Sequence, residues 1–384
     1  MKIKRIVSLI LALSLMLALA ACGSPAAKPT EAPAPTETQP TAAPTAAPQP
    51  TDEPAPTEAP AAKPETVEYT DDTGRTLTIP GEITKIAITG PMSQIVLFAL
   101  APEKLVAVAN AWDKGAEAYF QPEYFNLPVL GQLYGGKGEL NLEELLAAAP
   151  QIVLDVGEPK KSIGEDLEAL TEQTGIPFLH IDGYTASMGD AYRMLGDLLG
   201  LEEKAAVLAD YCDEIYAFAS GLEEKLAPEK KKTALYLLGD SGLNVIASGS
   251  FHAEMLNLIV ENAAVLENPS SKGTGNETDM EQLMLWDPEV IFFAPDSVYD
   301  KVGDDPAWQE LQAIRNSAYY RVPYGPYNWM GFPPSVQRYL GVLWAAKLLY
   351  PEAADYDLYT EIARYYKLFY GCDLTRAQFD ALMG

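Results

Sequence analysis

From Glu65 onward the chain alternates between two hydrophobic periods. Val67-Glu68-Tyr69 and Thr76-Leu77-Thr78-Ile79 step by two and flank Asp71-Asp72-Thr73-Gly74, turn chemistry that predicts a short hairpin over Glu65 to Pro80. Strand-like apolar runs follow at Ile83 to Thr89, Leu105 to Ala109, Ile152 to Val156 and Phe178 to Ile181, with helical spacing between them. Strands alternating with helices predict a parallel, doubly wound α/β lobe. Ala191, Met194, Leu195, Leu198 and Leu199 then share one face of a helix that Gly200 ends. From Glu202 to Leu226 the positions Leu208, Tyr211, Cys212, Ile215, Ala219 and Leu222 recur at helical steps. A helix of that length would run ~37 Å, enough to cross a whole lobe. After Lys230-Lys231-Lys232 the alternation resumes at Ala234 to Leu238, Asn244 to Ala247, Val290 to Ala294 and Tyr320 to Val322, which predicts a second α/β lobe.

The two halves echo each other. Asn141-Leu142-Glu143-Glu144-Leu145-Leu146 leads through Ala149-Pro150 into Gln151-Ile152-Val153-Leu154. Asp279-Met280-Glu281-Gln282-Leu283-Met284 leads through Asp287-Pro288 into Glu289-Val290-Ile291-Phe292, without a gap. Each stretch reads as an N-cap, a short helix, a Pro-marked stop and a buried strand. Glu144 and Gln282 stand at the third helical position, which predicts a capping box in both. The fold class expected is therefore α/β: two doubly wound α/β lobes bridged by a single long α-helix. The boundaries are an N-terminal lobe over 65–200, a bridging helix over 201–228 and a C-terminal lobe over 229–384.

The residues before Glu65 have another character. Lys2, Lys4 and Arg5 precede an apolar run, Ile6 to Leu19, and then Leu19-Ala20-Ala21-Cys22, the pattern of a secretory signal over 1–22. Its end resembles a bacterial lipobox, which implies lipidation of Cys22 and cleavage before it. The alternative is an ordinary signal with an incidental cysteine. The stretch 23–64 is Pro, Ala, Thr and Glu with almost no large apolar side chain, the composition of a disordered, extended stalk. The remaining length suits two domains. A formal charge of −27 argues against nucleic acid and against charge-driven binding to an anionic membrane, so membrane contact is expected through the lipid only. Cys212 and Cys372 read either as a disulfide of an exported protein or as buried small hydrophobes.

From about Ile79 to the C-terminus the chain resembles the helical-backbone class of ABC importer binding proteins, which serves ferric siderophores, haem, cobalamin and some metals. "NLEELLAAAPQIVL" and "DMEQLMLWDPEVIFF" look like the signatures of its two lobes, and "YRVPYGPYNWMGFPPSVQRYLGVLWAAKLLYPE" is similar to its iron-complex branch. The resemblance implies two rigid lobes facing across a cleft, with opening limited by the long helix. It implies an extracellular or periplasmic monomer, lipid-anchored at the outer face of the cytoplasmic membrane. Its partner would be an ABC permease dimer with a cytoplasmic ATPase. It also implies that Glu143 and Glu281 pair with permease arginines. Against that, a carboxylate in a helix's first turn is favoured by the dipole whatever its function.

Cleft residues are expected on loops at the carboxyl ends of strands. The candidates are Met92, Ser93, Trp112, Tyr134, Asp240, Phe251, His252, Tyr327, Asn328, Trp329 and Arg338. Trp112, Tyr134, Tyr327 and Trp329 would supply flat walls for a bulky chelate, although packing is the commoner role of any one aromatic. His252 is a candidate metal ligand, or a polar residue in a helix's first turn; His180, in an apolar strand, reads as structural. Arg338 faces the cleft or makes an ion pair elsewhere. No phosphate-binding loop, nucleophile elbow or paired-Cys motif is present, so neither an enzyme nor a cofactor is expected. The ligand expected is an iron complex of the ferric siderophore type, with a corrinoid, haem or another metal chelate as the alternative. A surface relay or adhesion lipoprotein without a permease is the rival function.

Overall fold

A computed structural model describes residues 64–135, 139–226 and 231–384. Cys22, the signal and all but the last residue of the stalk lie outside the described residues.

The hairpin forms where the period of two places it. Strands β1 (Thr66–Thr70) and β2 (Thr76–Pro80) pair antiparallel. Their turn closes on Asp71, whose carboxylate accepts the N–H groups of Thr73 and Arg75 at 3.0 and 3.1 Å. The same carboxylate accepts the N–H of His180 at 3.2 Å, which ties the hairpin to the first lobe.

That lobe holds three parallel strands, β3 (Ile86–Ile88), β4 (Ile152–Gly157) and β5 (Phe178–Asp182), in that order. The expected strand at Leu105 to Ala109 shrinks to isolated bridges. Its N–H groups serve two neighbours, Val106 bonding to Ile86 and Val108 to Pro128. Both sheet faces are covered, as the unbroken apolar runs require. Ile86, Ile88, Leu154 and Ile181 join one core, and Ala87, Val153 and Phe178 another. The covering helices are α1 (Pro91–Leu100), α2 (Leu142–Ala148), α3 (Ile163–Thr174) and α4 (Met188–Leu199).

The bridging helix is shorter than its apolar pattern. Helix α5 (Glu202–Ser220) stops at Gly221, and α6 (Leu222–Leu226) follows as a separate turn. Glycine is the weakest helix former after proline, and a break there interrupts an otherwise continuous stripe.

The second lobe is built on β6 (Thr233–Leu238), β7 (Asn244–Val245), β8 (Glu261–Asn262), β9 (Asn276–Glu277), β10 (Val290–Phe293) and β11 (Tyr319–Arg321). Strands β11, β10, β6 and β8 run parallel, while β7 and β9 add an antiparallel edge, so this sheet is mixed. Its helices are α7 (Glu254–Ile259), α8 (Met280–Trp286), α9 (Tyr299–Val302), α10 (Gln312–Arg315), α11 (Arg338–Leu349), α12 (Leu358–Tyr370) and α13 (Arg376–Met383).

The C-terminal helices cross the boundary that the sequence places. Tyr366 and Tyr370 of α12 meet Tyr119 and Phe120 of the first lobe at 5.1 and 5.3 Å between ring centroids, and Phe369 meets Tyr192 at 6.1 Å. Gln378 of α13 donates to the carbonyl of Ala118 at 3.2 Å. One core therefore runs through both lobes and around α5.

The internal echo is a structural repeat. Asn141 caps α2 by accepting the N–H of Glu144 at 3.1 Å, and Asp279 caps α8 by accepting that of Gln282 at 2.8 Å. Both helices have seven residues, and both end on a left-handed non-glycine residue, Ala149 and Asp287. The predicted boxes are half-made: the N-cap bonds form, but Glu144 and Gln282 do not return theirs. The Asn141 N–H is instead taken by the carbonyl of Leu130 at 2.6 Å.

Candidate ligand site

Strand β4 ends in Gly157 and Gly183 follows β5 directly, and this lets a side chain lie across both carboxyl ends. A Cβ at Gly157 would sit 3.2 Å from the sulfur of Met92, and one at Gly183 would sit 2.9 Å from its methyl. Met92, the second residue of α1, thereby reaches the junction of the lobes. There Ser335 Oγ donates to the Met92 carbonyl at 3.2 Å.

Thr185, two residues beyond Gly183, is held by three residues of the second lobe. Its N–H and hydroxyl donate to Glu254 Oε2 at 3.0 and 2.8 Å. Arg338 donates from one terminal nitrogen to Thr185 Oγ1 at 2.9 Å and to Glu254 Oε2 at 2.5 Å. The Tyr339 hydroxyl donates to the Thr185 carbonyl at 2.8 Å. The other Arg338 terminal nitrogen donates to the Pro334 carbonyl at 3.0 Å, and the guanidinium lies 4.4 Å over the Phe251 ring. Burial pushes the Arg338 pKa down, and the Glu254 carboxylate opposes the shift. The side chain stays charged. Its Nε–H has no partner among the described residues.

Met92, Gly183, Thr185, Ser335, Arg338 and Tyr339 line a cavity of ≈ 10 Å³ between the lobes. This is at the threshold for one water molecule, so the lobes are closed on each other here. Beside it, His252 stacks on Phe332 with centroids 5.2 Å apart. Burial, and next the Arg338 charge, push the His252 pKa down to about 4, and Nδ1 has no partner. The imidazole is neutral at pH 7. Tyr184 meets Phe251 edge-on at 5.8 Å across the junction. Lys160 pairs with Glu158 on the first-lobe side.

Four of the sequence candidates thus come together: Met92, Phe251, His252 and Arg338. The others do other work. Ser93 is buried and accepts the Val156 N–H at 2.8 Å. The Trp112 indole donates to the Tyr124 carbonyl at 2.8 Å and packs on Phe98 and Phe120, inside the first lobe. The Tyr134 hydroxyl donates to Asp166 at 2.5 Å. Asp240 is exposed in the turn after β6. Tyr327 packs against the common core. Asn328 donates to the Tyr236 hydroxyl at 2.8 Å and accepts the Met330 N–H at 2.8 Å. Trp329 is fully buried under α11, where Gly341 leaves room for its backbone. The aromatic walls expected for a bulky chelate are therefore packing residues. The loop from Tyr324 to Trp329 folds back on itself, Gly325 N–H bonding to the Tyr327 carbonyl at 3.0 Å, and turns the rings of Tyr327 and Trp329 inward while Tyr324 stays exposed. Thr185 and Glu254 escape the sequence reading. The carboxyl-end rule finds Thr185 if the loop after Phe178 to Ile181 is included, whereas nothing local marks Glu254. Glu143 and Glu281 are both exposed on the first turns of α2 and α8. Among the described residues no cluster of His, Cys, Asp and Glu is arranged to hold a metal ion.

Comparison with known proteins places this geometry. The family model described as "Periplasmic binding protein" matches residues 86–324. The chain is 24% identical over 330 residues to the molybdate-binding protein MolA of Haemophilus influenzae, covering 78% of this chain and 90% of that one. A solved ABC transporter solute-binding protein from Sulfurospirillum deleyianum superposes with a TM-score of 0.71 at 26% identity, over 82% of this chain and 98% of its own. A periplasmic solute-binding protein from Veillonella parvula gives 0.67 at 25% identity, over 83% and 97%.

Proposed function

The chain belongs to the periplasmic binding protein family, and on that premise we propose that this substrate-binding protein of an ABC importer captures a compact oxyanion of the molybdate type at the junction of its lobes. The observation that carries the reading is Arg338. It is a buried, permanently charged guanidinium with an unused Nε–H, and it lines the cavity between the lobes together with Thr185 and Ser335. A buried cation with an unused N–H suits a small dianion, and the hydroxyls of Thr185 and Ser335, now donating to Glu254 and to the Met92 carbonyl, can turn to it when the junction opens. The similarity to a molybdate-binding relative supports the same class.

A second reading keeps the ferric chelate. It rests on His252, neutral and with a free Nδ1 beside the cavity, a nitrogen donor suited to closing an open coordination position. In either case Glu143 and Glu281 meet cationic residues of the permease, and Cys22 anchors the mature chain by lipid.

Isothermal titration of the purified protein with molybdate, tungstate, a ferric catecholate and cobalamin separates the readings. Molybdate is expected to bind with submicromolar affinity, and Arg338→Met to lose at least a hundredfold. Silence with both oxyanions, together with tight binding of the ferric catecholate that is lost in His252→Ala, would establish the second reading instead.

A further inference from the structure

Helices α2 and α8 carry a second matched feature that ligand capture leaves unused. Each sends one large side chain, Leu145 or Leu283, into its core. Each also places an apolar side chain in solvent one turn beyond its outward glutamate. Leu146, three residues after Glu143, is 51% exposed; Met284, three after Glu281, is 40% exposed, and Leu285 beside it is 80% exposed. The preceding segments repeat as well: Asn126-Leu127-Pro128-Val129-Leu130 is echoed by Asn262-Ala263-Ala264-Val265-Leu266. Val129 is 47% exposed and Val265 74%. The carbonyl of Leu130, beside Val129, takes the N–H of the α2 N-cap Asn141 at 2.6 Å, and Ala264, beside Val265, shares a core cluster with Leu283 of α8. Among the described residues eight large apolar side chains are exposed, and five of them fall in these two places.

Single exposed apolar residues are ordinary. Matched groups beside matched carboxylates are not required by either core, which takes only Leu145 and Leu283. Two like patches on two lobes fit a partner with two like subunits. The acidic residues around them, Glu143 and Glu144 on one side, Glu277, Asp279 and Glu281 on the other, call for positive charge opposite. Exposed ion pairs alone hold little; interfaces draw their affinity from apolar anchors set inside a charged rim. We propose that Leu146 with Val129, and Met284 and Leu285 with Val265, are the apolar anchors that seat this chain on the two membrane subunits of its importer. Each subunit presents an apolar socket beside a cationic side chain. The inference rests on the importer reading above and adds the residues that grip.

Photo-crosslinking in the producing cells tests it with the full-length chain. Benzoylphenylalanine replaces Leu146, Met284 or Glu143, one at a time, with Val67 and Val207 as exposed apolar controls outside the patches. Adducts are identified by mass spectrometry. Positions 146 and 284 are expected to crosslink the same polytopic importer subunit, with no adduct from either control. Crosslinking from position 143 alone would overturn the apolar anchors and leave the importer reading standing. No importer subunit captured from any position would overturn both, and equal capture from the controls would also overturn the anchors. Leu146→Ser combined with Met284→Ser is expected to cut the position-143 adduct at least tenfold without moving the melting temperature.

Discussion

Replacing Arg338 with Met removes a nearly isosteric stem's charge from the junction of the lobes. The guanidinium is 3% exposed and its partner Glu254 25% exposed. Removing one member of a buried pair costs about 3–5 kcal/mol when the remaining charge stays buried. Glu254 keeps the N–H and hydroxyl of Thr185 and some contact with water, so the expected loss is about 2–3 kcal/mol. Glu254→Gln leaves the charged Arg338 stranded in a drier place and should cost about 3–4 kcal/mol. In the double variant neither charge remains to be stranded. Its loss should fall short of the sum by about 1–3 kcal/mol, the range of coupling between residues in one network. Urea unfolding at pH 7 measures all four proteins, with the midpoint read at constant slope. If Arg338→Met costs under about 1 kcal/mol, or the two single losses add within about 0.5 kcal/mol, the clasp around Thr185 is not a coupled unit and the reasoning fails.

The two histidines give pH dependences of opposite sign. His252 has its folded pKa lowered from 6.5 to about 4, so the unfolded chain binds more protons in that window, and stability falls as pH drops from 6.5 towards 4. The full loss is about 3 kcal/mol, and His252→Gln should flatten the slope in an acid titration of the urea midpoint. His180 is fully buried between Asp155 and Asp182; burial lowers its pKa, but hydrogen bonds and charge from the two carboxylates outweigh that and leave it raised. Its stabilisation is whole below pH 6.5 and fades as pH rises through the folded value, and His180→Asn should remove that alkaline decline. Gly341→Ala puts a Cβ 2.4 Å from the Trp329 carbonyl oxygen and should cost about 1–3 kcal/mol in the same assay; no change would show that α11 can shift away from Trp329. Cys212 and Cys372 are free, so a thiol reagent should react quickly with the half-buried Cys372, and with Cys212 only on unfolding. A failure of unfolded protein to react would mean that they pair.

Elements with strong period and strong punctuation were legible in the sequence. The hairpin turn at Asp71, the Gly200 stop and both capped helices of the echo stand where spacing alone puts them. What periodicity does not carry is the direction in which a loop side chain turns. Trp112 and Trp329 look alike in sequence to aromatics that line a cleft; their neighbours in space, Phe98 and Phe120 for one and α11 for the other, bury them. Arg338 was legible as a candidate, but its partners Thr185 and Glu254 lie 153 and 84 residues away, and no local pattern encodes a contact at that separation.

The contacts between the lobes divide into two kinds, and the difference decides how the junction opens. One set is mainly aromatic and clustered on α12: Tyr366 and Tyr370 on Tyr119 and Phe120, and Phe369 on Tyr192, with Tyr184 on Phe251 lying on the other side. The other is polar: Thr185 with Glu254, Arg338 and Tyr339, Ser335 with the Met92 carbonyl, and Tyr324 with Asp113. A hydrogen bond exposed by opening is exchanged for one to water, and its net worth is only about 0.5–1.5 kcal/mol. A large apolar side chain exposed by opening loses about 1.5–3 kcal/mol with nothing in return. The seam around α12 and α5 is therefore the part that stays shut, and the polar set is the part that yields. Met92, Thr185, Ser335, Arg338 and Tyr339 belong to the polar set and line the cavity. The weak side of the junction and the water-sized cavity coincide, so the small opening allowed by a shared core widens the space that Arg338 lines.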